Sequence, residues 1–151
     1  MKKIYLAGCI GEYYKDGKDR NYPEKWRKEV VEWFEKHSDS FYCLDPMDFY
    51  RYDCNRHQSE SEVMRFDLRL VREADIILVN LKDLDKSLGT SDEIFYAFIN
   101  RKPVIGFYEV DENVDIKTLI HPWKVEEIDR IEYGKDAMQK AMRYVRDFYY
   151  Y

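Results

Sequence analysis

Asp75-Ile76-Ile77-Leu78-Val79-Asn80, with Gly89-Thr90-Ser91-Asp92-Glu93 a short way downstream, decides how this chain is read. The first stretch is a short, unbroken apolar run, the pattern of a strand buried on both faces of a parallel sheet. The second follows a polar loop and opens an apolar-periodic segment, Ile94 to Asn100, expected to be a helix that begins near Thr90 and ends before Pro103. A strand, a loop and a helix start in that order put Glu93 at the carboxyl edge of a parallel sheet, where open α/β sheets bind ligands. Two readings of Glu93 stay open at this point. It is a carboxylate available to a substrate, or Thr90-x-x-Glu93 is a capping box in which it satisfies a backbone N–H.

Outward from this unit the same alternation repeats. Lys3 to Gly8 reads as a first strand and Cys9 to Asn21 as a polar loop. Pro23 suits a first helical turn, and Trp26, Val30, Trp33 and Phe34 recur at helical spacing, with Arg27 expected at the rim of that face. Phe41 to Leu44 is a second strand, broken by Asp45-Pro46. A long loop, Met47 to Arg56, carries Tyr50, Arg51, Tyr52 and Asp53. A helix is expected from about Gln58 to Glu73, a strand over Pro103 to Tyr108, a short strand around Glu126 to Ile131, and a last helix over Lys135 to Phe148. Strands alternating with helices imply a doubly wound parallel sheet in a three-layer αβα arrangement. Five strands in this sequence suggest a flavodoxin-like order, 2-1-3-4-5, with right-handed crossovers.

The chain has 151 residues, and 1–151 is expected to form one domain. A net charge of −5 argues against a nucleic-acid polymer as partner, which would call for a basic face. It does not exclude a small phosphorylated ligand. Cys9, Cys43 and Cys54 are odd in number and lack metal spacing, so reduced thiols in a cytoplasmic protein are expected, with no metal and no cofactor. Leu6-Ala7-Gly8-Cys9 after Met1-Lys2-Lys3 imitates a lipoprotein signal, but Ile4 to Ala7 is too short for a secretory core of about 7–15 residues. No membrane partner is expected.

The second helix adds a second carboxylate. Val63, Leu70 and Ala74 share one helical face, and Asp67 lies on it. A carboxylate on a core-facing stripe is costly unless paired or functional. The ordinary alternative is a buried Asp that caps a loop or pairs with Arg69 or Arg72. Taken in order, Ile4-Tyr5-Leu6-Ala7-Gly8, Asp67-Leu68, Ala74 to Asn80, Gly89 to Ala97 and Lys102-Pro103-Val104-Ile105 resemble the nucleoside 2-deoxyribosyltransferase family, with its Gly-Thr-x-x-Glu-x-x-x-Ala signature. The resemblance spans nearly the whole chain. It implies that Glu93 attacks C1′ of the sugar, as the nucleophile of a retaining glycosidase does. Asp67 would protonate the departing base, and Tyr5 would orient the nucleophile. The substrate implied is a nucleoside or nucleotide, with a free nucleobase or water as acceptor.

Six positions before Glu93 many of these transferases carry an Asp that binds the sugar 5′-hydroxyl; here Ser87 stands there. A hydroxyl can donate to a phosphate that a carboxylate would repel. Ser87-Leu88-Gly89 also looks like the matching segment of the related deoxynucleoside 5′-monophosphate N-glycosidases, although Gly11 stands where those enzymes have an Arg. Gly8 and Cys9, in the turn after the first strand, together with Gly89 and Thr90, are further expected substrate-binding positions. A nucleotide phosphoribohydrolase is less well matched, because Ser87-Leu88 replaces its Gly-Gly pair. Thr118 and His121 lie in a segment with which the family often completes a neighbouring subunit's site. The aromatic end, Phe148 to Tyr151, suits an interface, so a homo-oligomer is expected. The alternative to an enzyme is a non-catalytic nucleotide-binding or signalling module on the same scaffold.

Overall fold

The computed structural model describes residues 1–49, 58–111 and 113–150. Its five strands are β1 (Lys2–Gly8), β2 (Phe41–Leu44), β3 (Ile76–Asn80), β4 (Val104–Tyr108) and β5 (Arg130–Tyr133). They form one all-parallel sheet in the order β2-β1-β3-β4-β5. Its helices are α1 (Tyr22–His37), α2 (Glu60–Glu73), α3 (Leu88–Ile99), α4 (Ile116–Leu119), α5 (Pro122–Glu126) and α6 (Ala137–Phe148). The expected flavodoxin-like, three-layer arrangement is therefore the one observed.

Strand alternation divides the core. Ile4, Leu6, Ile76, Leu78, Ile105 and Phe107 point to one face, where Trp26, Val30 and Phe34 of α1 and Ala137, Ala141 and Val145 of α6 cover them. Tyr5, Ala7, Ile77, Val79 and Val104 point to the other, against Leu70 and Val71 of α2 and Ile94 and Ala97 of α3. This period of two assigns Tyr5 to the α2–α3 layer. Because the central strands are buried on both faces, they read as continuous apolar runs.

Several boundaries differ from the sequence expectation. α3 starts at Leu88, since Ser87 is its N-cap and accepts the Thr90 N–H at 3.3 Å. The final strand lies a few residues later than Glu126–Ile131, because His121 caps the short helix α5 and delays it. Two expected loops contain 3-10 turns, Gly11–Tyr14 and Pro46–Asp48. Tyr50, Arg51, Tyr52, Asp53 and Cys54 lie outside the described residues. Cys9 and Cys43 are free thiols. Among the described residues no helix is long and apolar enough to cross a membrane.

Candidate active site

Three side chains from three elements meet under the carboxyl edge of the sheet. Tyr5 is fully buried on β1, Asp67 is half-buried on α2, and Glu93 is buried at 9 % exposure on α3. Each arrives there for a local reason. Tyr5 follows from strand alternation. Asp67 lies on the same side of α2 as buried Leu70 and Ala74, as expected, while Arg69 is engaged by Glu73 at 3.0 Å. Glu93 shares the inward face of α3 with Thr90, Ile94 and Ala97.

The capping-box reading of Glu93 is overturned. With Ser87 as the cap, Thr90 occupies the third helical position and Glu93 sits further along, in the helix interior. The Ser87 and Thr90 hydroxyls lie 2.7 Å apart. Glu93 is thus a buried carboxylate with no role in starting its helix. Its Oε2 has no hydrogen bond of ordinary geometry among the described residues.

Burial first, and the nearby Asp67 carboxylate after it, push the Glu93 pKa up to about 8. The Tyr5 hydroxyl and the Arg27 guanidinium oppose this and favour the charged form. Two carboxyl groups that repel each other in a desolvated place cannot both be ionised cheaply. The pair therefore holds a proton near neutral pH.

The other expected positions are distributed around this centre. Gly8 ends β1, and a Cβ there would meet Trp26 Cζ2 at 2.8 Å, so close packing of α1 accounts for its being glycine. The Cys9 thiol is buried, which raises its pKa, and hydrogen-bonds with Ser87. Thr90, another expected substrate-binding position, is 2 % exposed, and its hydroxyl lies 2.7 Å from that of Ser87. Gly89 is exposed, with open space where a side chain would be. His121 is exposed and its Nδ1 accepts the Trp123 N–H at 3.2 Å. Ser87 and His121 line one groove of about 470 Å³ with Ser91, Phe95, Trp123 and Lys124, on the outward side of α3. The Thr118 hydroxyl donates to the Asp115 carbonyl at 2.7 Å.

The nucleoside 2-deoxyribosyltransferase family pattern matches residues 4–141. The chain belongs to this family. Among curated proteins none matches the sequence. Solved structures share the fold. A 2-deoxyribosyltransferase from Leishmania mexicana is 18% identical with a TM-score of 0.68, covering 98% of this chain and 99% of that one. A 2-deoxyribosyltransferase from Bacillus psychrosaccharolyticus is 19% identical with a TM-score of 0.62, covering 94% and 91%. A CMP N-glycosidase from Clostridium botulinum is 17% identical with a TM-score of 0.57, covering 98% and 99%.

Sequence reasoning missed Arg27. It was expected at a rim, yet it is completely buried. The signal was present: Pro23, Trp26, Arg27, Val30 and Phe34 follow the spacing of one helical face, and all are buried. Arg27 stands inside the apolar stripe of its helix.

Proposed function

We propose that this member of the nucleoside 2-deoxyribosyltransferase family cleaves the N-glycosidic bond of a (deoxy)nucleoside or its 5′-monophosphate through a covalent glycosyl-Glu93 intermediate. The observation that carries this reading is a buried Glu93, free of any capping duty, facing Asp67 and Tyr5 from separate elements. A Glu93 oxygen attacks C1′ and forms a C–O bond. The C1′–N bond breaks, its electron pair stays on the base nitrogen, and Asp67 delivers the proton that nitrogen needs. A second base, or water, then attacks C1′ and gives its proton to the Asp67 carboxylate, and the bond from C1′ to the Glu93 oxygen breaks, which restores the Glu93 carboxylate. Tyr5 hydrogen-bonds to the attacking carboxylate, orients it and favours its charged form.

The 5′ end of the sugar is assigned to Ser87 and the exposed N-terminus of α3 at Gly89. A hydroxyl and unpaired backbone N–H groups there suit either a 5′-hydroxyl or a 5′-phosphate. The assembly is a homo-oligomer, supported by the apolar side chains Leu88, Phe95, Phe98, Ile99 and Trp123 exposed on and beside α3. In it the Thr118–Trp123 segment of a neighbour completes the pocket.

The test is a panel of nucleosides and 5′-monophosphates, incubated with and without a free acceptor base. Release of base from one or more of them is expected, and exchange when acceptor is present marks a transferase rather than a hydrolase. Tight binding without release from any substrate would overturn the catalytic reading in favour of a binding module.

A further inference from the structure

We propose that Tyr13 and Asp83 are positioning residues of this site: their hydrogen bond ties the loop after β1 to the connection between β3 and α3, and so fixes Ser87 and the start of α3 where the sugar's 5′ end is bound. The inference rests on the proposed assignment of the 5′ end to Ser87.

The connection from β3 to α3 turns on Asp83, whose φ of 57° lies in the left-handed region. A residue other than glycine occupies that region at a cost, and Asp and Asn do so most readily. Before the turn the chain is firmly held. Leu81 is fully buried, and its N–H donates to the Phe107 carbonyl of β4 at 3.0 Å. Beyond Asp83, tight turns carry the chain to the helix. The Lys86 N–H donates to the Asp83 carbonyl at 3.0 Å, the Ser87 N–H to the Leu84 carbonyl at 3.1 Å, and the Ser91 N–H to the Ser87 carbonyl at 3.1 Å. The angle at which the chain leaves Asp83 therefore sets the place of Ser87.

Two tyrosines from outside this connection grip the turn at two points. Tyr13 is buried in the 3-10 turn after β1, and its O–H donates to Asp83 Oδ2 at 2.5 Å. Tyr22 is the first residue of α1, and its hydroxyl accepts from Asn80 Nδ2 at 3.1 Å, while Asn80 Oδ1 accepts the Lys82 N–H at 3.1 Å. The two rings meet with centroids 4.8 Å apart, and the Lys82 ammonium lies 4.4 Å from the centre of the Tyr22 ring. Asn80, Tyr22, Tyr13 and Asp83 thus close a circuit around the turn. Burial works against the charge on Asp83, but the Tyr13 O–H and then the Lys86 ammonium, 3.6 Å away, hold its pKa below the ordinary carboxylate range. A hydrogen bond to an ionised acceptor is the stronger kind. A residue in a costly conformation persists where its surroundings over-determine it. Without the Tyr13 bond, the backbone at Asp83 can leave the left-handed region and carry Ser87 with it.

Two readouts test this clamp: amide exchange followed by NMR, and kcat/KM for the best substrate against its 5′-deoxy analogue, which lacks the group that Ser87 would meet. In Tyr13→Phe the Lys86 and Ser87 amides should exchange about tenfold faster relative to Ile77 and Val79 of β3. In the same variant kcat/KM should fall about tenfold for the substrate and stay unchanged for the 5′-deoxy analogue. Asp83→Gly adopts the same φ without strain but lacks the acceptor, and should match Tyr13→Phe. Asp83→Asn keeps an acceptor and tolerates the left-handed region, so it should stay near the wild type in both readouts. Unchanged exchange at Lys86 and Ser87 in Tyr13→Phe would overturn the proposal. So would an equal acceleration of all four amides, an equal fall for substrate and analogue, or an Asp83→Asn that matches Asp83→Gly. If Tyr13→Phe does not fold, the two Asp83 variants decide it. A wild-type protein that releases no base would defeat the proposed function, and amide exchange would still judge the clamp on Ser87.

Discussion

Glu93 carries the sharpest expectations, because it is a buried acid whose proton affinity differs between the folded and unfolded chain. Glu93→Gln or Glu93→Ala is expected to abolish base release, a loss on the order of several kcal/mol in barrier lowering, while circular dichroism shows an unchanged fold. Stability should respond in the opposite sense. The folded-state pKa is raised to about 8. Between the ordinary carboxyl range and that value the folded protein binds the extra proton, so stability present at acid pH is lost as pH rises through this window. Glu93→Gln escapes that loss. It should therefore melt higher than the wild type at pH 8, by on the order of a few kcal/mol, with the difference shrinking towards pH 5. Thermal melts of both proteins across this range are the check, and a gain that grows towards acid pH would refute the assignment. Asp67→Asn, by contrast, should slow turnover mainly for poor leaving groups, measured on a series of bases, because its role is to give a proton.

At the scale of the element, α3 separates two duties that the sequence presents as one motif. Its N-cap is Ser87, and Glu93, the proposed nucleophile, comes later, in the helix interior. Ser87→Asp keeps a good cap, so the helix should hold. The new carboxylate should shift preference from the 5′-monophosphate towards the free nucleoside, measured as the ratio of kcat/KM for the pair. Gly89→Ala is a second probe. The position has room for a methyl group and lies in a helix, so stability should rise by about 0.5–1 kcal/mol, while activity falls if substrate approaches this backbone closely. The sequence made most elements legible, and for a physical reason. Strands buried on both faces and helices with one apolar face leave periodic marks, as in Ile76–Asn80 and in Trp26, Val30 and Phe34. Caps are less legible. Ser87, Thr90 and Ser91 are all capable of capping, and the choice among them depends on where the chain leaves the sheet. Arg27 was illegible because charge argues for the surface, and the Leu6, Gly8 and Pro23 carbonyls that receive its N–H groups come from two different elements.

At the scale of the whole molecule, site and scaffold occupy different layers. Tyr5, Asp67 and Glu93 all belong to the α2–α3 side, whereas α1 and α6 complete the other side. The outward face of α3 leaves Phe95, Phe98 and Ile99 half exposed, directly behind the site helix. A homo-oligomer closing on that face is expected by light scattering at micromolar concentration. Phe98→Glu should dissociate it and lower activity together with it. A fully active wild-type monomer would refute the shared-site assembly. The aromatic chain end has a different place. Tyr150 shares a hollow with His37 and Ser40, next to the start of β2 and so at the amino edge, away from its own protomer's Glu93.

The position of β1 between β2 and β3 has a kinetic meaning. Its ladder neighbour β3 is remote in sequence, as the bond from the Lys3 amide to Asp75, 72 residues away, makes plain. Closing so long a loop is an entropic barrier that must be crossed before any pairing energy is recovered, and such topologies acquire order slowly. Until then Ile4 to Ala7 form an apolar segment whose β3-facing edge is open, the kind that associates with other unfolded chains. Refolding yield should consequently fall as protein concentration rises. Amide exchange should protect β1 and β3 together and last. On the proposed mechanism Tyr5 must reach α3 by that one long-range docking event, so activity should return no faster than the β1–β3 amides become protected.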